Sequence, residues 1–309
     1  MECISNLAVI IDPTAEQQPC VDKAAVLAQA CRAAIDLVAC ETTYSREARI
    51  ARAAAGREAA PESLSQLLER LAGRLRSRGI DTTIHALQGE PLHESLLTWL
   101  RGSVATFVVK DTHHHSLARR TFLTNTDWHL IRGCSQPLLL VKPAPWHRPP
   151  VLIAAVDPTH PRDQAGYLDR CILDHALSIG KALQAEVHAA HSFVPMMLAS
   201  STIDGLPVMM DVTGELLRAQ TAARRTRIKA VTDPCGLADD RVHVEMGIPS
   251  EFLPRLAAEV GADVVVMGAT ARSGLRGAFV GSTAERLLEG LPCDLLVVKT
   301  PDFGALLPF

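Results

Sequence analysis

Short apolar runs alternate with longer amphipathic segments along the whole chain. The run 151–157 is almost continuously apolar, and it is short enough for a strand that is buried on both faces. In the segment 163–184 that follows, apolar side chains recur every three or four residues, which predicts a helix. A chain that alternates such strands and helices is expected to form a parallel sheet with right-handed crossovers. The pattern predicts strands near 7–11, 36–40, 82–86, 106–109, 138–141, 151–157, 186–191, 242–246, 264–267 and 295–298, with second-half helices at 163–184, 215–231, 251–260 and 283–291.

The sequence of the first half recurs in the second half. The segment 122–142 aligns with 279–299 without a gap, at a constant offset of 157 residues (299 minus 142). A shorter match upstream pairs 10–14 with 155–159. Self-similarity of this kind indicates two copies of one fold in tandem.

A proline-rich segment joins the two copies. Residues 143–150 contain four prolines, which cannot continue a helix or a central strand and favour a semi-rigid extended spacer. We therefore expect a domain boundary near residue 145, with an N-terminal domain at 1–145 and a C-terminal domain at 146–309.

Composition and charge indicate an ordinary globular protein. Hydrophobic residues make up 48% and charged residues 21% of the 309 residues, and the formal net charge of −3 provides no global field for nucleic acid. The basic stretch 224–229 lies on a predicted helix, where a solvated face is the usual explanation. No apolar run approaches the length of about 18 residues that a membrane span requires, and the N-terminus lacks the order of a secretory signal. We therefore expect a cytoplasmic protein without a membrane span.

Candidate catalytic and metal-binding residues receive little support from the sequence. The eight cysteines are scattered without a Cys-x-x-Cys pair, so we expect small buried hydrophobic residues rather than nucleophiles or metal ligands. The histidines at 113–115, with Asp111, suggest a metal site, but a surface loop is the simpler interpretation and we predict no metal. A serine hydrolase would require a Gly-x-Ser-x-Gly elbow, which the chain lacks.

A glycine-rich loop follows the predicted strand 264–267. Its glycines, the hydroxyl side chains of Ser282 and Thr283, and the start of a helix offer backbone N–H groups and a positive dipole end to an anion such as a phosphate. Arg272 and Arg276 lie in the same loop and provide neutralising charge. The alternative is a glycine-rich connection with an ordinary helix cap.

The motifs of the second half resemble those of the universal stress protein family. They are Gly-Ile-Pro at 247–249, Ala-Asp-Val-Val-Val-Met-Gly at 262–268, Gly-Ser-Thr-Ala-Glu-Arg-Leu-Leu at 281–288 and Pro-Cys-Asp-Leu-Leu-Val-Val-Lys at 292–299. With its duplicated halves and the segment 124–132, the whole chain resembles the tandem two-domain, E-type subgroup. The resemblance implies an α/β fold with a five-stranded parallel sheet flanked by helices in each domain. It also implies pairing of the last strands across a pseudo-two-fold interface and a role in stress adaptation, without a defined enzyme activity.

ATP-binding members of that family carry Gly, two residues, Gly, nine residues and then Gly-Ser/Thr. Gly268, Gly281 and Ser282 match this motif, whereas Ala271 replaces its second glycine. If that position requires a positive φ, alanine costs about 1 kcal/mol, so we expect ATP binding to be weakened rather than abolished. Asp157 matches an aspartate that contacts the adenosine moiety, although a turn residue before Pro158 is an equal alternative. The candidate residues for ATP and Mg²⁺ are Asp157, Met267, Gly268, Ala271, Arg272, Gly281, Ser282 and Thr283.

The same alignment places Asp111, His114, Thr124 and Asn125 at the motif positions of the first half. A carboxylate in place of a glycine repels a triphosphate, so we predict that the N-terminal half binds no nucleotide. Because no motif residue is an evident general base, we expect no catalytic residue and at most very slow ATP hydrolysis.

The connection 193–212 supports a second hypothesis. It is long and rich in methionine, and such loops adapt to irregular apolar partners. It would either cover another part of the protein or bind an apolar small molecule or partner, which would make the chain a nucleotide-independent carrier. The resemblance implies an intramolecular pseudo-dimer and leaves room for a homodimer.

Overall fold

The computed structural model describes most of the chain. The described residues are 4–13, 15, 17–41, 62–89, 91–112, 125–159, 166–195, 199–203, 206–209, 214–271, 278–279, 287 and 290–306.

In the N-terminal repeat, strands and helices alternate. Each β-strand after the first is reached through a helix or a longer connection, as the apolar pattern predicts. The elements are β1 (Asn6–Ile10), α1 (Pro19–Cys31), β2 (Ala34–Cys40), α2 (Leu64–Arg76), β3 (Thr82–Leu87), α3 (Leu92–Gly102), β4 (Phe107–Asp111), α4 (Asn125–Gly133) and β5 (Leu138–Val141).

The C-terminal repeat follows the same order, with two short hairpins added. The elements are β6 (Val151–Ala155), α5 (Tyr167–Leu183), β7 (Glu186–Phe193), β8 (Ala199–Ile203), β9 (Leu206–Met209), α6 (Gly214–Thr232), β10 (Val242–Met246), α7 (Pro249–Val260), β11 (Val264–Gly268), β12 (Thr270–Ala271), β13 (Ala278–Phe279) and β14 (Asp294–Val298).

The ten main strands form one sheet that runs through both repeats. Its order is β10-β7-β6-β11-β14-β5-β4-β1-β2-β3, so each repeat contributes five neighbouring strands that are parallel to one another. The repeats meet where β14 pairs with β5 in the antiparallel direction, with Leu296 opposite Leu139. This confirms the two five-stranded sheets and the pairing of the last strands that the family resemblance implies.

Two lysines, one buried and one half-buried, show the pseudo-two-fold symmetry at this junction. The Lys142 ammonium group donates to the carbonyl oxygen of Leu291, and the Lys299 ammonium group donates to that of Cys134. Both pairs are related by the repeat offset, since 299 minus 142 and 291 minus 134 are each 157. Burial lowers the pKa of Lys142, and it lowers the pKa of Lys299 to about 8. Each repeat therefore anchors the other through equivalent contacts.

The core lies on both faces of the sheet and is continuous across the junction. On one face, α1, α2, α5 and α6 cover side chains such as Leu37, Val109 and Val266. On the other face, α3, α4 and α7 cover side chains such as Val108 and Val265. Successive residues of a strand point to opposite faces, so a strand covered on both sides reads as a continuous apolar run.

Two sequence expectations change in detail. The first strand of the second repeat ends at Ala155 rather than at residue 157, because Asp157 enters a turn. The segment 193–212 is not wholly a loop: β7 extends to Phe193, and β8 pairs with β9 in an antiparallel hairpin. Most of the predicted helix 283–291 lies outside the described residues. No described helix has both the length and the apolar character that crossing a bilayer requires.

Candidate functional site

The candidate site lies at the carboxyl edge of the sheet in the C-terminal repeat. β6 lies between β7 and β11, and all three run parallel, so their carboxyl ends meet at one edge. Asp157 follows β6, and Met267 and Gly268 end β11, where Met267 pairs with Ala155. The structure therefore brings these three predicted residues to the same edge, which is where ligands bind in open parallel sheets.

The Asp157 side chain is oriented by a tight turn and remains half exposed. Its Oδ1 atom accepts hydrogen bonds from the Thr159 N–H at 3.2 Å and the Thr159 hydroxyl at 2.8 Å. Its backbone N–H donates to Oδ1 of Asp169, a buried carboxylate of α5, at 2.8 Å. The turn interpretation of Asp157 is therefore confirmed, and its role in binding adenosine stays a prediction.

His191, which the sequence analysis missed, lies next to Asp157. Its side chain is 3% exposed, and Nδ1 lies 3.0 Å from the carbonyl oxygen of Val156 and 3.8 Å from Oδ1 of Asp157. Because the carbonyl can only accept, Nδ1 carries the proton and Nε2 is an acceptor. Nε2 is buried and has no hydrogen-bond partner among the described residues.

The environment of His191 favours the neutral imidazole. Burial lowers its pKa, and the Arg224 charge lowers it further, while the Val156 carbonyl and the Asp157 carboxylate oppose the shift. A neutral ring keeps the Nε2 lone pair available as an acceptor at neutral pH.

Phe193 and Arg224 complete this part of the edge. The Phe193 ring lies nearly parallel to the His191 ring, with 6.2 Å between centroids, and the Arg224 guanidinium of α6 lies 5.4 Å from the Phe193 centroid. The basic stretch 224–229 predicts a solvated helix face, whereas the structure places Arg224 here, half buried. His191 and Phe193 lie at the carboxyl end of a predicted strand, and this position is a sequence signal that could have identified them. The proximity of Arg224 depends on how α6 packs and has no such signal.

Gly268 has a packing reason of its own. A Cβ atom built on it would lie 2.5 to 2.7 Å from the side-chain carbons of Leu168 in α5. Any larger residue would therefore push α5 away from the end of β11. Close packing against α5 therefore explains why glycine occupies this position, and no bound phosphate is needed to explain it.

Ala271 does not have the backbone conformation considered in the sequence analysis. It lies in β12 and pairs with Ala278 of β13, and it is not one of the described residues with a positive φ. The expected backbone strain of alanine at this position therefore does not arise. Arg272, Gly281, Ser282 and Thr283, together with Arg276, lie outside the described residues.

The equivalent edge of the N-terminal repeat is arranged differently. Asp111 stands where the repeat offset places Gly268 (268 minus 157), and its buried Oδ1 accepts a hydrogen bond from the Cys20 N–H at 2.7 Å. This carboxylate thus occupies the first turn of α1, where an anion would otherwise be attracted. Burial raises the pKa of Asp111 to about 6. Of the other motif positions, His114, Thr124 and the Asn125 side chain lie outside the described residues.

The described residues offer no evident nucleophile or metal cluster. Burial raises the pKa of the Cys134 thiol, and it raises that of Cys293 to about 12. Such thiols stay protonated and are poor nucleophiles. No group of three or more potential metal ligands occurs in the described part of the chain, and the histidines at 113–115 lie outside it.

Comparisons with known proteins agree with the duplicated fold. The model of the universal stress protein family matches residues 4–142 and 170–299. The chain is 27% identical to universal stress protein E of Escherichia coli K12, over 98% of this chain and 96% of that protein. It is 25% identical to the crystal structure of PA1789 from Pseudomonas aeruginosa PAO1, described as functionally unknown, with a TM-score of 0.75 and coverage of 98% and 95%. A universal stress protein structure from Archaeoglobus fulgidus shares the fold at 16% identity, with a TM-score of 0.62 and coverage of 96% and 97%. The chain therefore belongs to the universal stress protein family and carries two copies of its domain in tandem.

Proposed function

We propose that this universal stress protein acts in the stress response by binding an adenine nucleotide at the carboxyl edge of its C-terminal repeat. The observation that carries the proposal is the buried acceptor Nε2 of His191, which lies beside the half-exposed carboxylate of Asp157. A buried polar atom without a partner is costly, so such atoms usually indicate a bound water or ligand.

The polar groups at this edge match the chemistry of a nucleoside phosphate. The exocyclic amino group of adenine is a donor that suits Nε2 of a neutral His191. Ribose hydroxyls are donors that suit the Asp157 carboxylate, which the turn at Thr159 already orients. The Arg224 charge favours an anion, and the glycine-rich loop after β11 would supply backbone N–H groups to the phosphates.

Binding, rather than catalysis, is the proposed activity. In the proposed arrangement the adenine amino group uses Nε2 of His191 and the ribose uses Asp157, which leaves neither group as a general base for attack on a phosphate, so any hydrolysis would be slow. Mg²⁺ would accompany the triphosphate. The N-terminal repeat would remain empty because Asp111 caps α1 from within the protein.

A thermal-shift experiment tests the proposal. Millimolar Mg-ATP should raise the melting temperature, because a ligand that binds only the folded state stabilises that state. Asp157→Ala should remove the shift, whereas Asp12→Ala, at the equivalent position of the first repeat, should retain it. An absent shift would contradict the nucleotide proposal and favour the alternative, a nucleotide-independent carrier that uses the segment 193–212.

The same assay tests the departure from the family motif. Since Ala271 has an extended backbone, Ala271→Gly should leave the ATP-induced shift almost unchanged. A much larger shift in this variant would show instead that the methyl group hinders the phosphates.

A further inference from the structure

A cavity of about 890 Å³ lies between the two repeats, away from the proposed nucleotide site. α1 and α2 of the N-terminal repeat form one side, and the linker 143–150 with the end of α5 forms the other. We call this space the linker cavity. It lies within the size range of small-molecule pockets, and such pockets occur preferentially between domains.

Apolar side chains form much of the wall of the linker cavity. Val26 of α1, Leu67 and Leu71 of α2, and Leu183 of α5 line it, together with four prolines of the linker. Proline fixes the backbone φ and has no N–H group, so this wall is both preorganised and poor in donors.

Trp146 adds a fixed aromatic surface to the wall. Its indole N–H donates to Oδ2 of Asp294 at 2.7 Å, which holds the ring in place. The Lys23 ammonium group lies 5.5 Å from the ring centroid.

Basic side chains surround the apolar surface. The lining contains Lys23, Arg70, Arg74 and Arg148 but only one carboxylate, Asp22, although the protein as a whole has a net charge of −3. Lys23 pairs with Asp294, Arg70 with Glu62, and Arg74 with Asp22.

Arg148 differs from the other three cations of the lining. It is exposed, and no carboxylate pairs with it among the described residues. Its guanidinium group is therefore available to a ligand, and its planar donors suit a carboxylate or a phosphate.

We propose that the linker cavity binds an amphipathic anion, which has an apolar body and a single carboxylate or phosphate group. The body lies against Leu67, Leu71 and Trp146, and the anionic group pairs with Arg148. The proposal is independent of nucleotide binding, because the two sites share no residue.

Calorimetric titration of the full-length protein with dodecanoate and with dodecyl phosphate tests this proposal. At least one of them should bind. Dodecanol and dodecylamine lack the anionic group that pairs with Arg148, and a charge-assisted hydrogen bond contributes about tenfold in affinity, so both should bind about tenfold more weakly or worse. The tighter of the two anions identifies the preferred head group. Absence of binding by both anions, or equal binding of dodecylamine, would overturn the proposal.

Variants place the binding in the linker cavity. Arg148→Gln, at an exposed position, should weaken anion binding about tenfold, and Val26→Trp should abolish it by filling the space. Val104→Trp is the matched control, since Val104 is 76% exposed and lies outside the cavity. Asp157→Ala should bind the anion unchanged. Undiminished binding by Arg148→Gln would overturn the proposal even if Val26→Trp failed to fold.

Discussion

Lys23 of the N-terminal repeat and Asp294 of the C-terminal repeat form a buried ion pair. The Lys23 Nζ atom lies 2.8 Å from both carboxylate oxygens, and the two side chains are 7% and 1% exposed. Asp294 also accepts hydrogen bonds from the Lys142 N–H and the Trp146 indole. One carboxylate thus connects α1, the end of β5, the linker and β14.

Removing this carboxylate charge should destabilise the protein strongly. Asp294→Asn leaves the Lys23 ammonium group buried without a counter-charge, which typically costs about 3–5 kcal/mol. Urea denaturation measures the change. The control is Asp22→Asn, which breaks an exposed pair with Arg74 and should cost less than about 1 kcal/mol. Similar losses in both variants would contradict the structural role of Asp294.

The contact between Gly268 and Leu168 predicts a coupled effect of two substitutions. Gly268→Ala should lower the free energy of unfolding by about 1–3 kcal/mol, because its new methyl group overlaps the Leu168 side chain. Leu168→Ala removes the side chain that the new methyl group overlaps. The double variant Gly268→Ala/Leu168→Ala should therefore lose less stability than the sum of the losses measured for the two single variants.

A helical glycine provides the matched control for Gly268. Gly73 of α2 has no atom within 4 Å of an added Cβ, so Gly73→Ala should stabilise the protein by up to about 1 kcal/mol. Strictly additive losses at Gly268 and Leu168 would show that the overlap is not the cause. ATP binding by the double variant then reports separately on whether the nucleotide requires Gly268.

The protonation of His191 should make the protein less stable in acid. Because burial lowers the pKa of His191 in the folded state, the unfolded state binds more protons once the pH falls below about 6.5. The free energy of unfolding should therefore decrease as the pH is lowered through that range, and this group contributes up to about 1.4 kcal/mol per pH unit to the decrease. Among the described residues, the charges of Asp157 and Arg224 act on the pKa of the ring in opposite directions.

Urea denaturation between neutral pH and pH 5 tests this effect. His191→Gln removes the titrating group, so the difference in stability between the wild type and the variant should shrink or reverse as the pH falls. Two pH profiles that run parallel would contradict the assignment. Bound Mg-ATP should shift the wild-type loss of stability to lower pH, because protonation of Nε2 removes the acceptor.

The periodicity and the repeat were enough to predict the architecture. Strand 138–141 matches the structure to the residue, because it is buried on both faces and shows this as an apolar run. Strand 242–246 also matches to the residue, although it lies at the edge of the sheet and its last two residues are exposed. The constant offset of 157 predicted two copies of one fold, and the contacts of Lys142 and Lys299 show the equivalence of the two copies. The boundary near residue 145 stays a prediction.

The candidate site was only partly predictable. Asp157 and Gly268 lie at strand ends and carry motif signals, so the sequence could place them at the same edge. His191 is one of two histidines in the buried strand β7, where a histidine usually has a structural role, and its unpaired Nε2 depends on which atoms pack around it. The proximity of Arg224 likewise depends on the packing of α6 rather than on any local pattern.

Calorimetric titration of the purified protein with Mg-ATP tests the central claim most directly. We expect saturable binding of about one nucleotide per chain, since Asp111 occupies the N-terminal site whereas the Asp157 carboxylate at the C-terminal edge is half exposed. Binding should be lost in Asp157→Ala. Absence of binding at millimolar nucleotide, or two nucleotides per chain, would contradict the account.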